Sequence, residues 1–286
     1  NGTGGYPGFS PTMDTSLRGA MGDTVVLRVR APYPDFWRGQ TFSQFDGRVW
    51  TADTDTGRQT EGPDHGIAPA IGDVASGSAE EFIQTFYAQV DLPNIVFAAN
   101  RPERVLLDAP MWARPDGALR ADVVLPKGSA YTVVSERSRP TADGLRGEGD
   151  VRLFGSPTPF VQLPDSLTDR TRDLAQMLAA GQTSTYDVIL SMQEWLAANI
   201  TYSLDAPVPP AGTDAVDQFL FESRQGFCEQ IATATTIMLR SLGVPARVVM
   251  QILGHSQIGL TLGTYSHVVP ELATDAADKM ARAYWS

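Results

Sequence analysis

The sequence predicts an α+β chain in three consecutive parts: a β-rich domain over about residues 1–160, a mixed helical core over 161–248, and a short helical tail over 249–286. Three observations carry this. Apolar residues alternate with period two in the first half. Helical spacing begins only after Pro164. Gly254, Gly259 and Gly263 then break the chain before a last helical stretch from about Pro270 to Tyr284.

In "DTVVLRVRA", Val25, Leu27 and Val29 alternate with Val26, Arg28 and Arg30, the pattern of a strand with one face toward a core. "QTFSQFDGRVW" reads as two short extended runs joined by Asp46-Gly47, a dipeptide favoured in tight hairpin turns. Residues 53–80 are polar and rich in Gly, Asp and Ser; they read as a loop, with His65 in solvent. "EFIQTFYAQV", "RVLLD", "ADVVLP" and "AYTVVSE" are further strands, and Trp37 and Trp50 are expected to pack the β-region.

The period then changes. Leu167, Leu174, Met177 and Leu178 share a helical face, with Gly181 as the stop. Ile189, Met192, Leu196 and Ile200 repeat the pattern. After the Pro-rich connector "DAPVPPAG", a third helix is expected to begin at Cys228, run through Ala232, Thr235, Met238 and Leu239, and end at Gly243.

Composition bounds the function. The 286 residues, 42% hydrophobic and 19% charged, are enough for about two domains with real cores. A formal net charge of −11 gives no electrostatic attraction to nucleic acid or anionic lipid, so no nucleic-acid partner is expected. With one cysteine no intrachain disulfide can form. No run approaches the roughly 20 apolar residues of a membrane span, and no signal peptide is visible. The chain opens at Asn1 with its first methionine at Met13, which reads as a piece whose beginning is missing. No phosphate-binding glycine loop, zinc-spaced Cys/His set or calcium loop is present, so neither metal nor cofactor is expected.

The setting of Cys228 in "RQGFCEQIATA" points to thiol chemistry. Gly226 is expected to permit a sharp turn before the helix. At the helix N-terminus the dipole and backbone N–H groups stabilise a thiolate and lower the thiol pKa. The same amides can serve as oxyanion donors. Ala232 and Ala234 are small enough for close packing against a sheet. A lone cysteine also fits a small buried hydrophobe, which would sit mid-helix among apolar side chains.

"FLFESRQGFCEQIATATTIMLRSLGVPARVV" resembles the cysteine segment of transglutaminase-like proteins: Gly-aromatic-Cys, an Ala-rich helix, then Leu-Gly-hydrophobic-Pro-Ala-Arg. "NITYSLD" is similar to the same family, and Arg240 and Arg247 match family positions of a structural kind. "DTSLRGAMGDTVVLRVRAPYPDFWRGQTFSQFDGRVW" and "FIQTFYAQVDLPNIVFAANRPERV" resemble the extracytoplasmic β-region of bacterial membrane-anchored transglutaminases. Over about residues 6–248 the resemblance implies a papain-like transglutaminase core with Cys228 as nucleophile. It implies a Cys-His-Asp triad acting on a protein or peptide acyl group through a thioester. It also implies location outside the bacterial membrane, with relatives anchored by N-terminal helices absent here.

After Val249 the family's His-Ala-Trp and Asp contexts do not follow, so the core reads as incomplete and its acyl transfer as weak or absent. Leu253, Gly254, His255, Thr261, Tyr265, His267 and Val268 instead resemble the C-terminal end of tyrosine recombinases of the phage-integrase type. That resemblance implies a junction near 247–250, with Tyr265 as a DNA-cleaving nucleophile and His255 as a donor to the phosphate. The His-x-x-Arg element such chemistry needs is missing, and Glu271, Asp275 and Asp278 face only Lys279 and Arg282 in the tail. His267, 39 residues after Cys228, is a possible surrogate base for the thiol. Three functions thus stand side by side: a transglutaminase-like acyltransferase or amidase missing part of its triad, a non-catalytic binding remnant, and a site-specific recombinase implied by the tail alone.

Overall fold

A computed structural model describes residues 10–16, 24–52, 57–68, 79–138, 141–147 and 159–245 of the chain. The elements, in chain order, are β1 (Thr12–Asp14), β2 (Leu27–Arg30), β3 (Gln44–Phe45), β4 (Val49–Thr51), β5 (Arg58–Thr60), β6 (Asp64–Gly66), β7 (Ala79–Ala88), β8 (Ile95–Val96), β9 (Pro102–Leu106), β10 (Met111–Ala113), β11 (Leu119–Ala121) and β12 (Ala130–Ser138). Then follow α1 (Ala142–Gly147), α2 (Asp169–Ala179), α3 (Thr185–Asn199), β13 (Thr201–Tyr202), α4 (Ala215–Asp217), β14 (Gln225–Gly226) and α5 (Cys228–Ser241). They fall into two units. One comprises Asn1–Asp14, Gly19–Phe45 and Val49–Thr141; the other comprises Thr15–Arg18, Asp46–Arg48 and Ala142–Ser286.

The first unit is β-rich, as its period predicts. An antiparallel sheet runs in the order β2-β7-β12-β9-β6, beside a four-stranded sheet β5-β10-β11-β8 and a three-stranded one β1-β4-β3. Along β7, Phe82, Gln84, Phe86 and Ala88 are buried while Glu81, Ile83 and Tyr87 are exposed. That alternation sets the register with β12, where Tyr131 pairs with Phe86 and Val133 with Gln84. Phe86, Leu92, Val105, Met111, Leu119 and Val133 lie in one core cluster, and the Phe86 and Tyr131 rings stack at 5.0 Å. Trp37 packs on Phe82 and Phe86, and Trp50 is buried against Phe45.

Several expectations are corrected here. Residues 53–80 are not one loop: β5 pairs with β10, β6 pairs with β9, and β7 begins at Ala79. Backbone pairing, not apolar alternation, makes these short polar segments into strands. His65 is not solvated. It lies on β6, 1% exposed, with Nδ1 2.8 Å from the Thr60 hydroxyl and Nε2 2.9 Å from the Leu107 carbonyl oxygen. "ADVVLP" is a strand only at Ala121, with Val123 and Val124 exposed. The short helix α1 precedes Pro164, and burial of Leu145 and an Arg146–Asp187 contact of 2.9 Å hold it, not a helical period.

The second unit is mainly helical. Thr168 caps α2, accepting the Thr171 N–H at 3.3 Å, and Ser184 caps α3, accepting the Asp187 N–H at 3.1 Å. Leu174 and Leu178 of α2 are buried, as are Ile189, Met192 and Leu196 of α3. Met177, expected on the apolar face, is exposed. α5 packs on α2 and α3 through fully buried Ile237, Met238 and Leu239. Ala234 is buried but Ala232 is exposed, so only one of the two small residues serves close packing. The helix stops where expected. Gly243 takes φ +78°, its N–H donates to Arg240 O at 2.9 Å, and the Val244 N–H donates to Leu239 O at 3.0 Å. Arg240 is a structural residue: buried, it donates through Nη1 to Gln162 O at 2.9 Å, and burial pushes its guanidinium down to about 10. Arg247 lies outside the described residues.

Candidate active site

Cys228 is the first residue of α5 and is exposed. It is neither mid-helix nor enclosed, which removes the buried-hydrophobe alternative. The segment before it is fixed from two sides. A π-helix over Gln218–Ser223 ends at Arg224, which takes φ +48° and donates its N–H to Phe219 O at 3.1 Å. β14 then pairs in parallel with β13: the Thr201 N–H donates to Arg224 O at 2.9 Å and the Ser203 N–H to Gly226 O at 2.8 Å.

Gly226 serves a different purpose from the sharp turn expected of it. It is part of the strand, and its reason is close approach: a Cβ there would lie 2.5 Å from Phe219 Cε2 and 3.1 Å from Gln230 Cβ. Phe227, the residue before the helix, has no side-chain oxygen with which to cap it. Its own N–H donates to Gln230 Oε1 at 3.1 Å, and buried Gln230 donates in turn through Nε2 to Thr15 O at 2.8 Å. Gln230 therefore locks the turn that presents the thiol.

Two donors meet at the helix start. The Cys228 and Glu229 backbone N–H groups lie toward the Cys228 sulfur, and the Cys228 N–H also lies toward the hydroxyl of half-buried Tyr202. The amides favour a thiolate, as expected, yet the balance runs the other way. Burial by surrounding protein and then the negative charge of Glu229 push the Cys228 thiol up from its ordinary value. The residue remains open to solvent, so its burial is partial. Burial, and after it the nearby Cys228, likewise push the Tyr202 phenol up. Iodoacetamide labelling of Cys228 should accordingly rise with pH around a midpoint above the roughly 8.5 of a free thiol. Glu229→Gln should move that midpoint down. A wild-type midpoint below the free-thiol value would mean that the amides outweigh burial and charge.

Among the described residues, His65 is the one histidine. It belongs to the other unit, and both of its ring nitrogens are engaged there. His255, Tyr265 and His267, together with Asp275 and Asp278, lie outside the described residues. Among the described residues no group of three or more His, Cys, Asp or Glu is placed to hold a metal. Tyr202, Glu229 and Gln230 carried no role in the sequence reading. "NITYSLD" and "CEQ" were its only signals, and the parallel pairing that joins them spans the Pro-rich connector.

Residues 172–279 match the family model described as the transglutaminase-like superfamily. The chain carries a transglutaminase-like core. Residues 1–142 match the model of the TgpA N-terminal domain. The superfamily match begins within α2, spans Cys228 and continues past Val249, taking in His255, Tyr265 and His267. Over 90 residues, 31% of the chain, the sequence is 39% identical to uncharacterized protein YebA of Bacillus subtilis. Over a stretch of the same length it is 37% identical to a protein-glutamine gamma-glutamyltransferase of Pseudomonas aeruginosa. The matches span 12% and 13% of those proteins' lengths. The fold resembles the periplasmic domain of TgpA from Pseudomonas aeruginosa, with a TM-score of 0.57 and 23% identity over 83% of this chain and 78% of that one. The mixed α/β architecture, a β-rich region followed by a transglutaminase-like core, is thus the expected one.

Proposed function

We propose that the chain is an extracytoplasmic, TgpA-type acyltransferase or amidase that works through a thioester on Cys228, with slow turnover. The carrying observation is the exposed thiol at the first position of α5, held between backbone donors within the superfamily match. In the reaction the Cys228 sulfur adds to the carbonyl carbon of a glutamine side-chain amide. The C–N bond then breaks, ammonia leaves with the thiol proton, and an acyl thioester remains. An amine or water next attacks the thioester and returns the thiol. The membrane-side location rests on the likeness to a periplasmic domain; among the described residues no helix is long and apolar enough to cross a membrane. Turnover is slow because neither His255 nor His267 stands in the family's His-Ala-Trp setting, which leaves His267 at most a poor surrogate base.

The test is mass spectrometry of the full chain after incubation with a glutamine peptide and with an activated ester. An acyl adduct on the Cys228 peptide, absent in Cys228→Ala, is the expected result. An unmodified Cys228 that still takes iodoacetamide would favour the binding-remnant reading. The recombinase reading rests on the tail's resemblance alone and requires a covalent Tyr265–DNA adduct on a nicked duplex.

A further inference from the structure

We infer that Arg48 is a positioning residue for acyl transfer: acting with Gln230, it clamps the turn that carries Cys228. The inference rests on the acyl-transfer reading. That turn is only partly backed by packing. Phe219 closes on Gly226 from one side. Next to it lies an open cleft, lined by Thr15, Pro207, Pro209, Phe219, Gln230 and Thr233, all within the second unit. Hydrogen bonds tie the turn where packing does not. The Phe227 N–H donates to Gln230 Oε1 at 3.1 Å, and Gln230 Nε2 donates to Thr15 O at 2.8 Å. Thr15 is held in turn by Arg48, whose carbonyl oxygen accepts the Thr15 N–H at 3.1 Å and the Thr15 hydroxyl at 2.7 Å. The Arg48 side chain reaches another wall of the same cleft. Its Nη2 donates to Pro209 O at 3.1 Å and to Pro210 O.

One residue therefore fixes two approaches to the thiol. Through Thr15 and Gln230, Arg48 holds the backbone at Phe227, the residue before Cys228. Through Pro209 and Pro210 it holds the connector between β13 and α4, and β13 is the strand paired with β14 just ahead of the thiol. The anchor is itself firm: the Arg48 N–H donates to Asp46 Oδ1 at 2.8 Å, and the Gly47 carbonyl accepts the Ala215 N–H at 2.8 Å. Bonds from a guanidinium to a carbonyl are charge-assisted, roughly twice as strong as neutral ones. A methionine in place of Arg48 keeps an unbranched stem but releases both proline carbonyls. The cleft wall is then free to shift, and the turn with it. Acyl transfer is sensitive to such a shift, because the sulfur must meet a carbonyl carbon at about 3–3.5 Å and in line.

The test separates alignment from thiol reactivity and from misfolding. Attack of Cys228 on a p-nitrophenyl ester forms a C–S bond, expels p-nitrophenolate and leaves an acyl thioester. Alkylation by iodoacetamide forms a C–S bond at a saturated carbon with loss of iodide and needs no aligned carbonyl. In the full chain, Arg48→Met should lower the rate constant of the single-turnover p-nitrophenolate burst between about 10- and 10²-fold at saturating ester, the scale of a displacement near 1 Å. The ester concentration giving half the maximal rate, and the alkylation rate, should each stay within about two-fold. Burst amplitudes are normalised to the alkylatable thiol; a misfolded fraction lowers the amplitude and not the rate constant. Gln230→Leu should show a comparable loss, and the double variant no more than the larger single loss, because the two residues serve one clamp. An unchanged rate constant in Arg48→Met overturns the assignment. So does an equal loss of alkylation, which would mean that Arg48 acts on the thiol's reactivity, and so does a multiplicative loss in the double variant, which would mean two separate effects. A wild-type chain that alkylates at Cys228 but gives no burst ends the acyl-transfer reading, and the role of Arg48 falls with it.

Discussion

Cys228→Ala is expected to abolish acylation and thiol labelling together, while His255→Ala and His267→Ala leave the slow amine incorporation of the chain within a few-fold. The first half follows because the chain has a single cysteine. The second follows from proton transfer. Turnover needs an acid for the leaving amine and a base for the incoming nucleophile, each worth typically about 10²–10⁴-fold. The sequence context after Val249 lacks the family's His-Ala-Trp and Asp settings, so both contributions are expected to be missing. The raised thiol adds to the deficit: a free cysteine is only a few per cent thiolate at pH 7, and Cys228 lies below that. What remains is oxyanion support by the backbone amides at the start of α5. The rate should then climb with pH as the thiol ionises, rather than trace the bell of an acid–base pair. Incorporation into a glutamine peptide, followed from pH 6 to 10, reads this directly. Turnover matching an intact transglutaminase and lost on His267→Ala or His255→Ala would show instead that residues after Val249 complete the triad.

Long elements were legible in the sequence because one physical signal dominates each. β7 and β12 are rich in aromatic and β-branched residues, and α2, α3 and α5 combine helical spacing with a capping residue or a terminal glycine. β5 and β6 were not, because polar edge segments become strands only when a partner offers its backbone. His65 misled for the same reason: its burial comes from pairing with β9, not from its neighbours in the chain. At the site, the start of α5 at Cys228 was legible from Gly-aromatic-Cys and the run of small residues. The direction of the thiol shift was not. Local sequence shows the helix amides, but burial depends on the three-dimensional surroundings, and the adjacent Glu229 charge was overlooked. Gly226 was singled out correctly but for the wrong reason, since the Phe219 ring that excludes a side chain arrives from the π-helix.

Gly47→Ala is expected to destabilise the chain by on the order of 3 kcal/mol, well beyond an ordinary surface substitution. The Asp46-Gly47 turn joins β3 to β4 as its dipeptide predicts, but more than a turn depends on it. Gly47 takes φ +105°, a conformation that costs an L-residue roughly 1–2 kcal/mol. A Cβ there would also collide with the Ser166 hydroxyl and lie 3.2 Å from Asp214 Oδ2. Neither group can easily give way. Ser166 Oγ donates to Asp214 Oδ2 at 2.6 Å, while Asp214 Oδ1 accepts the Val216 and Asp217 N–H groups at 3.0 and 2.9 Å and so caps α4. The Gly47 carbonyl meanwhile accepts the Ala215 N–H at 2.8 Å. Overpacking of this kind adds about 1–3 kcal/mol. The control is Gly128→Ala, where φ is +89° and nothing lies within 4 Å of the added Cβ; it carries the backbone cost alone. Urea denaturation should rank Gly47→Ala clearly below Gly128→Ala. Because the chain from Asp214 leads through the π-helix and β14 to Cys228, the same variant should blur the site and lower the p-nitrophenolate burst per alkylatable thiol. Equal losses for the two alanines would mean that the Ser166–Asp214 pair yields freely and that the turn matters only for its backbone.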